Sequence, residues 1–154
     1  MMTIIYVILM WMAMAINHEI GHLLCALILR LNIQGFGYHL VPVPSFFVSV
    51  KLPDEEWKRR CFLLAGNVAT ILLYIVLKMT GTINDTCLIL VFILQFITEY
   101  NPFYSDIAIL FAKAYHSKSI KENLKSYYRT SKFANALICW IIFSFVIIYL
   151  FNLL

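Results

Sequence analysis

The sequence predicts an all-α polytopic membrane protein: about four transmembrane helices and a short β-hairpin at the membrane face. Three observations predict it. Of 154 residues, 62% are hydrophobic and 13% charged, and the mean hydropathy of +0.84 lies well outside the range of ordinary soluble domains. Apolar runs long enough to cross a hydrocarbon layer of roughly 30 Å recur along the chain. Between the first two runs lies a β-rich stretch punctuated by proline, which reads as a hairpin. The length suits a single membrane-embedded domain over 1–154, with a basic loop over 113–132 ahead of the last apolar run over 133–154.

The first span is expected from Thr3 to Arg30. It has no basic region ahead of its apolar stretch, so it is expected to be retained rather than cleaved as a signal peptide. Residues 32–57 follow, with β-rich runs from Phe36 to Val43 and from Ser45 to Leu52 on either side of a proline-marked turn. His39 in the first run is read as an interfacial histidine. The stretch from Asp54 to Arg60 opens the next helix in solvent, with Trp57 at the interface. The second span is expected from Arg60 to Lys78, the third from Thr86 to Ala112 and the fourth from Phe133 to the end. The fourth carries only Asn135, Ser144 and Asn152 among apolar residues, as suits packing and anchoring.

Charge sets an orientation and excludes one class of partner. The net charge is +4, and eleven of the twelve basic residues fall in the loops after the first and third spans. The positive-inside rule puts both loops in the cytoplasm of a multi-pass protein, by economy that of a prokaryotic cell membrane. The loop basic residues thereby serve topology, and no nucleic acid is expected. Lys113 to Lys132, with Tyr115, Tyr127 and Tyr128, is expected to lie on anionic lipid of the bilayer; His116 within it is read as exposed. Cys25, Cys61, Cys87 and Cys139 all fall in apolar segments without paired spacing, as reduced packing residues do.

Two places carry chemistry. His18-Glu19-Ile20-Gly21-His22 interrupts the first apolar run. Histidines at i and i+4 share one helical face, and a glutamate beside the first is placed to act as a general base, the pattern of a zinc hydrolase. At about 1.5 Å rise per residue, His18 lies roughly 18 Å up the helix from Arg30, within the bilayer and toward its cytoplasmic half. The third span is not a plain one: Gln95, Glu99, Asn101, Ser105 and Asp106 sit among apolar residues, and Pro102 breaks the backbone ladder. A carboxylate at that depth costs several kcal/mol unless satisfied, and metal ligation would satisfy either Glu99 or Asp106.

With these residues in view, the chain resembles the site-2 proteases, the intramembrane zinc metalloproteases. His18 to His22 matches the family's HExxH, and Asn101-Pro102-Phe103-Tyr104-Ser105-Asp106 resembles its asparagine–proline loop ending in a ligand aspartate. Ala65-Gly66 looks like the start of its Ala-Gly-Pro-x-x-Asn stretch. Three positions depart from the pattern: Ile107 stands where the family usually has glycine, Asn67 where it has proline and Thr70 where it has asparagine.

The resemblance implies one zinc ion per chain, held by His18, His22 and Asp106, with Glu99 the rival third ligand and Glu19 the catalytic base. It implies a three-helix core over about 3–112, with 133–154 as an accessory helix, and a hairpin beside the active site whose edge pairs with an unwound substrate. Asn101, and Asn67 standing in for the family's asparagine, are read as residues that hold substrate, with a helix–helix hydrogen bond the alternative for Asn67. The expected activity is hydrolysis of peptide bonds in or near transmembrane segments of membrane proteins or membrane-inserted peptides. Oligomerisation and a regulatory partner are compatible with this reading. A second reading, of a different class, is a catalytically inactive membrane scaffold that retains the protease fold.

Overall fold

The computed structural model describes residues 2–39, 45–81, 86–103, 105–111 and 127–152. Its elements are α1 (Met2–Ile28), β1 (Ile33–His39), β2 (Ser45–Val50), α2 (Glu56–Met79), α3 (Thr86–Glu99), α4 (Asp106–Phe111) and α5 (Ser131–Asn152). The hairpin turn with Pro42 and Pro44, Ala112, and the basic stretch from Lys113 to Lys125 with Tyr115 and His116 lie outside the described residues. Three helices are long and apolar enough to cross a membrane, over Ile5–Ile28, Glu56–Met79 and Ser131–Tyr149.

The third expected span does not form as one helix. α3 ends at Glu99 after 14 residues, about 21 Å of helix, short of the roughly 30 Å of hydrocarbon. Pro102 supplies no N–H and crowds the preceding turn, and Asn101 completes the break. Its Oδ1 accepts the Phe103 N–H at 3.0 Å, while its Nδ2 donates to the Thr98 carbonyl. Ser105 restarts the chain as the N-cap of α4, its Oγ accepting the Ala108 N–H at 3.2 Å.

By its contacts the chain divides into two compact units, Met1–Phe92 and Ile93–Leu154, with the boundary inside α3. In the first unit α1 buries Met14, His18, His22 and Ala26, one residue per turn along a single stripe, while Ile5, Leu9, Leu24 and Leu27 on its other faces are exposed, as a lipid-facing helix requires. α2 answers with Phe62, Leu63, Gly66, Asn67 and Thr70. The two helices run antiparallel and cross closely at Gly21. A Cβ there would stand 2.5 Å from the Ala65 carbonyl oxygen and 2.6 Å from the Ala69 Cβ. Small residues at this spacing let helix backbones approach where lipid offers no hydrophobic drive. We expect Gly21→Ala to cost about 1–3 kcal/mol, because the obstructing atom is backbone and the helices must part; a lowered denaturation midpoint in detergent checks this.

α1 ends in a Schellman motif. The Leu31 N–H donates to the Ala26 carbonyl at 2.8 Å and the Arg30 N–H to the Leu27 carbonyl at 3.2 Å, with Arg30 left-handed at φ 54°. This reversal sends the chain straight into the hairpin, whose strands pair antiparallel from Ile33 opposite Val50 to His39 opposite Ser45. Both strands lie inside or close to the expected runs.

In the second unit α5 fastens to the end of α3. The Trp140 indole N–H donates to the Ile97 carbonyl at 2.9 Å, and the Phe143 and Tyr100 rings lie 5.1 Å apart. Tyr127, Tyr128, Phe103 and Phe133 form an aromatic cluster. Burial pushes the Tyr127 and Tyr128 phenols up, with Tyr128 adding to the shift at Tyr127, so both stay protonated. The Tyr128 hydroxyl donates to the Phe103 carbonyl.

Candidate metal centre

The stripe that α1 buries against α2 contains both histidines. His18 is 9% and His22 3% exposed, so each imidazole needs a partner. The His22 Nδ1 lies 2.7 Å from the Phe62 carbonyl oxygen. A carbonyl only accepts, so Nδ1 carries a proton and Nε2 is the nitrogen turned to His18, where the neutral form of the ring offers a lone pair. This is the outer-shell bond that orients a metal-ligating histidine. The Phe62 carbonyl belongs to α2.

The two Nε2 atoms face each other at 3.0 Å. Nitrogens sharing a tetrahedral zinc at bonds of 2.0–2.1 Å lie about 3.3 Å apart, so the pair needs only a few tenths of an ångström to fit one ion. The rings meet edge to face, centroids 4.8 Å apart. Glu19 joins them: one ligand atom from each of His18, Glu19 and His22 falls within 4.8 Å of the others. Two imidazoles at this spacing, one of them oriented by the Phe62 carbonyl, fit a zinc ion, with the Glu19 carboxylate close beside them.

Two contacts hold this group in place. Gly66 lies directly beneath the His18 imidazole, and a Cβ built on it would overlap Nε2, Cε1 and Cδ2 of the ring. From the other side the hairpin reaches the glutamate: the Val48 N–H donates to Glu19 Oε2 at 2.8 Å. α1, α2 and β2 each contribute to one site within the first unit. Asn67, next to Gly66, is 3% exposed, and neither its Nδ2 nor its Oδ1 has a hydrogen-bond partner among the described residues. An amide so placed is costly unless something pairs with it.

The carboxylates of the broken third segment belong to the second unit. Glu99 is buried, with Oε1 accepting the Gln95 Nε2–H at 2.8 Å. Asp106 is half-buried in the first turn of α4. Asn101 builds the turn between them.

The sequence does not single out Phe62, Gly66 or Val48 as individual site residues. Phe62 and Val48 act through backbone atoms, which no side chain announces. Gly66 alone carried a signal, as half of the Ala-Gly pair. The fold and site define a membrane-class protein with a buried, metal-competent His-Glu-His group at a helix crossing. Set against protein-family models, curated proteins and solved structures, the chain matches none.

Proposed function

We infer that the protein is an intramembrane zinc endopeptidase hydrolysing peptide bonds in or near membrane-spanning segments. The observation that carries this is the His18–His22 pair, with Nε2 atoms 3.0 Å apart and His22 oriented by Phe62, beside the Glu19 carboxylate. His18 and His22 would hold the ion with Asp106 as third ligand, and Glu99 is the rival for that place. Zinc bound there would polarise the scissile carbonyl and make water nucleophilic near neutral pH.

Glu19 takes the proton from the attacking water and delivers it to the leaving amine. The Asn67 Nδ2–H is suited to donate to a substrate carbonyl, and its Oδ1 to accept a substrate N–H. The outer edge of β2, which reaches Glu19, is suited to an extended peptide. Substrates are then membrane proteins or membrane-inserted peptides whose helices open near the cytoplasmic face. The basic loops lie in the cytoplasm and the site within the bilayer toward that side.

Elemental analysis of the detergent-purified chain tests the metal. We expect about one zinc per chain, with Asp106→Ala lowering zinc affinity more than Glu99→Ala. The reverse order moves the third ligand to Glu99. Zinc-free wild-type protein that takes up none on addition sinks the reading.

A further inference from the structure

The contact between Glu19 and the hairpin has a direction that the strand register explains. In an antiparallel ladder, successive residues turn their backbone groups alternately toward the partner strand and away from it. Phe47 pairs with Gly37, Val48 with Phe36 and Ser49 with Gly35. Just past β2, the Lys51 N–H donates to the Asn32 carbonyl at 3.0 Å, so the odd-numbered positions of β2 face β1. The register irregularity falls between Ile33 and Gly35, where β1 carries one extra residue, so the alternation along β2 is continuous. Phe46, Val48 and Val50 therefore present their N–H and C=O groups to the outer edge. The described sheet has only two strands, and on that edge the Val48 N–H is bonded to Glu19.

An extended peptide adding to this edge needs the same N–H. Strand addition works by main-chain hydrogen bonds taken at every second residue, and Val48 is the central donor of the three. One N–H cannot make two full-strength bonds, since strength falls steeply as the angle bends. We propose that the Val48 N–H is a donor shared between Glu19 and an incoming peptide strand: the resting chain uses it to hold Glu19 Oε2, and a docking strand takes it, so that this hold on the carboxylate ends as substrate arrives. Val48 is thus a positioning residue acting through its backbone, and arrival of substrate is coupled to readiness of the site. Without a strand on the edge, Glu19 Oε2 stays bonded to the Val48 N–H.

The meaning of this device rests on the endopeptidase reading, but the competition itself requires neither zinc nor cleavage. The test is the affinity of an end-blocked, fluorescent hexapeptide of alternating valine and threonine for the full chain in detergent, by anisotropy, with and without a chelator. Removing the competitor by Glu19→Ala is expected to tighten docking about tenfold, the scale of a hydrogen bond to a charged group. Amide exchange at Val48 in that variant should speed up without peptide and slow again with it. Val48→Pro should lose docking. Proline is tolerated on an edge strand whose N–H points away from the sheet, so its pairing with β1 should persist.

Equal affinities of wild type and Glu19→Ala, no docking to either, or unchanged docking to Val48→Pro would each overturn the proposal. A zinc-free or non-cleaving wild-type chain would overturn the endopeptidase reading alone and leave the tenfold difference standing.

Discussion

Glu19→Gln is expected to leave zinc bound and to lower peptide-bond hydrolysis by about 10²–10⁴-fold, the range that a positioned general base contributes. Both histidines remain, with the Phe62 carbonyl still setting the His22 tautomer. The glutamine carbonyl oxygen still accepts the Val48 N–H, so the hairpin contact survives in weaker form. What is lost is a group able to take a proton from water. Comparison of membrane proteins and peptides in cells carrying wild type or Glu19→Gln checks this, since substrates accumulate uncleaved in the variant. An unchanged membrane proteome beside unchanged zinc content would favour the inactive-scaffold reading.

Gly66→Ala is expected to reduce zinc affinity by 10–100-fold or more while leaving the chain folded, an effect of the size seen when an outer-shell partner of a ligand is removed. The argument lies in what the added methyl meets. At Gly21 the obstacle is the backbone of Ala65, so the helices themselves must part. At Gly66 it is the His18 ring, a side-chain end that can swing aside at small cost. Swinging aside carries Nε2 away from its 3.0 Å contact with His22, and the pair no longer fits one ion. Zinc competition with a chromophoric chelator measures the affinity, and thermal denaturation in detergent measures the fold. Wild-type zinc affinity in Gly66→Ala would show that the cradle does not position His18. A denaturation midpoint that falls as far as that of Gly21→Ala would assign Gly66 to helix packing instead.

The two substitutions also show where sequence reading stops. Both glycines sit in short motifs that sequence inspection singles out, Gly21 between the histidines and Gly66 after Ala65. Nothing in either motif says which glycine makes room for a backbone and which for a ligand. That depends on the crossing point of α1 and α2 and their antiparallel register, which pairs Gly21 with Ala65 and His18 with Gly66. Hydropathy does not encode it, because both helices are apolar around most of their circumference.

The third segment shows a different limit. Its polar residues and Pro102 marked an interrupted helix, yet the length of the apolar run still suggested a span from 86 to 112. The break is wider than one proline requires, since Asn101 and Ser105 spend their side chains on closing α3 and opening α4.

By itself the sequence determined the membrane class, the hairpin after the first helix and the i, i+4 histidine pair with its glutamate, because each follows from local rules. Hydrophobic run length, strand period and helical period are written in neighbouring residues. Only the tertiary structure decided which atoms hold those side chains. The Phe62 carbonyl, the space above Gly66 and the Val48 N–H come from α2 and β2, between 29 and 48 residues away from their partners in α1. Two of the three are backbone groups that every residue possesses, so only packing and strand register can select them.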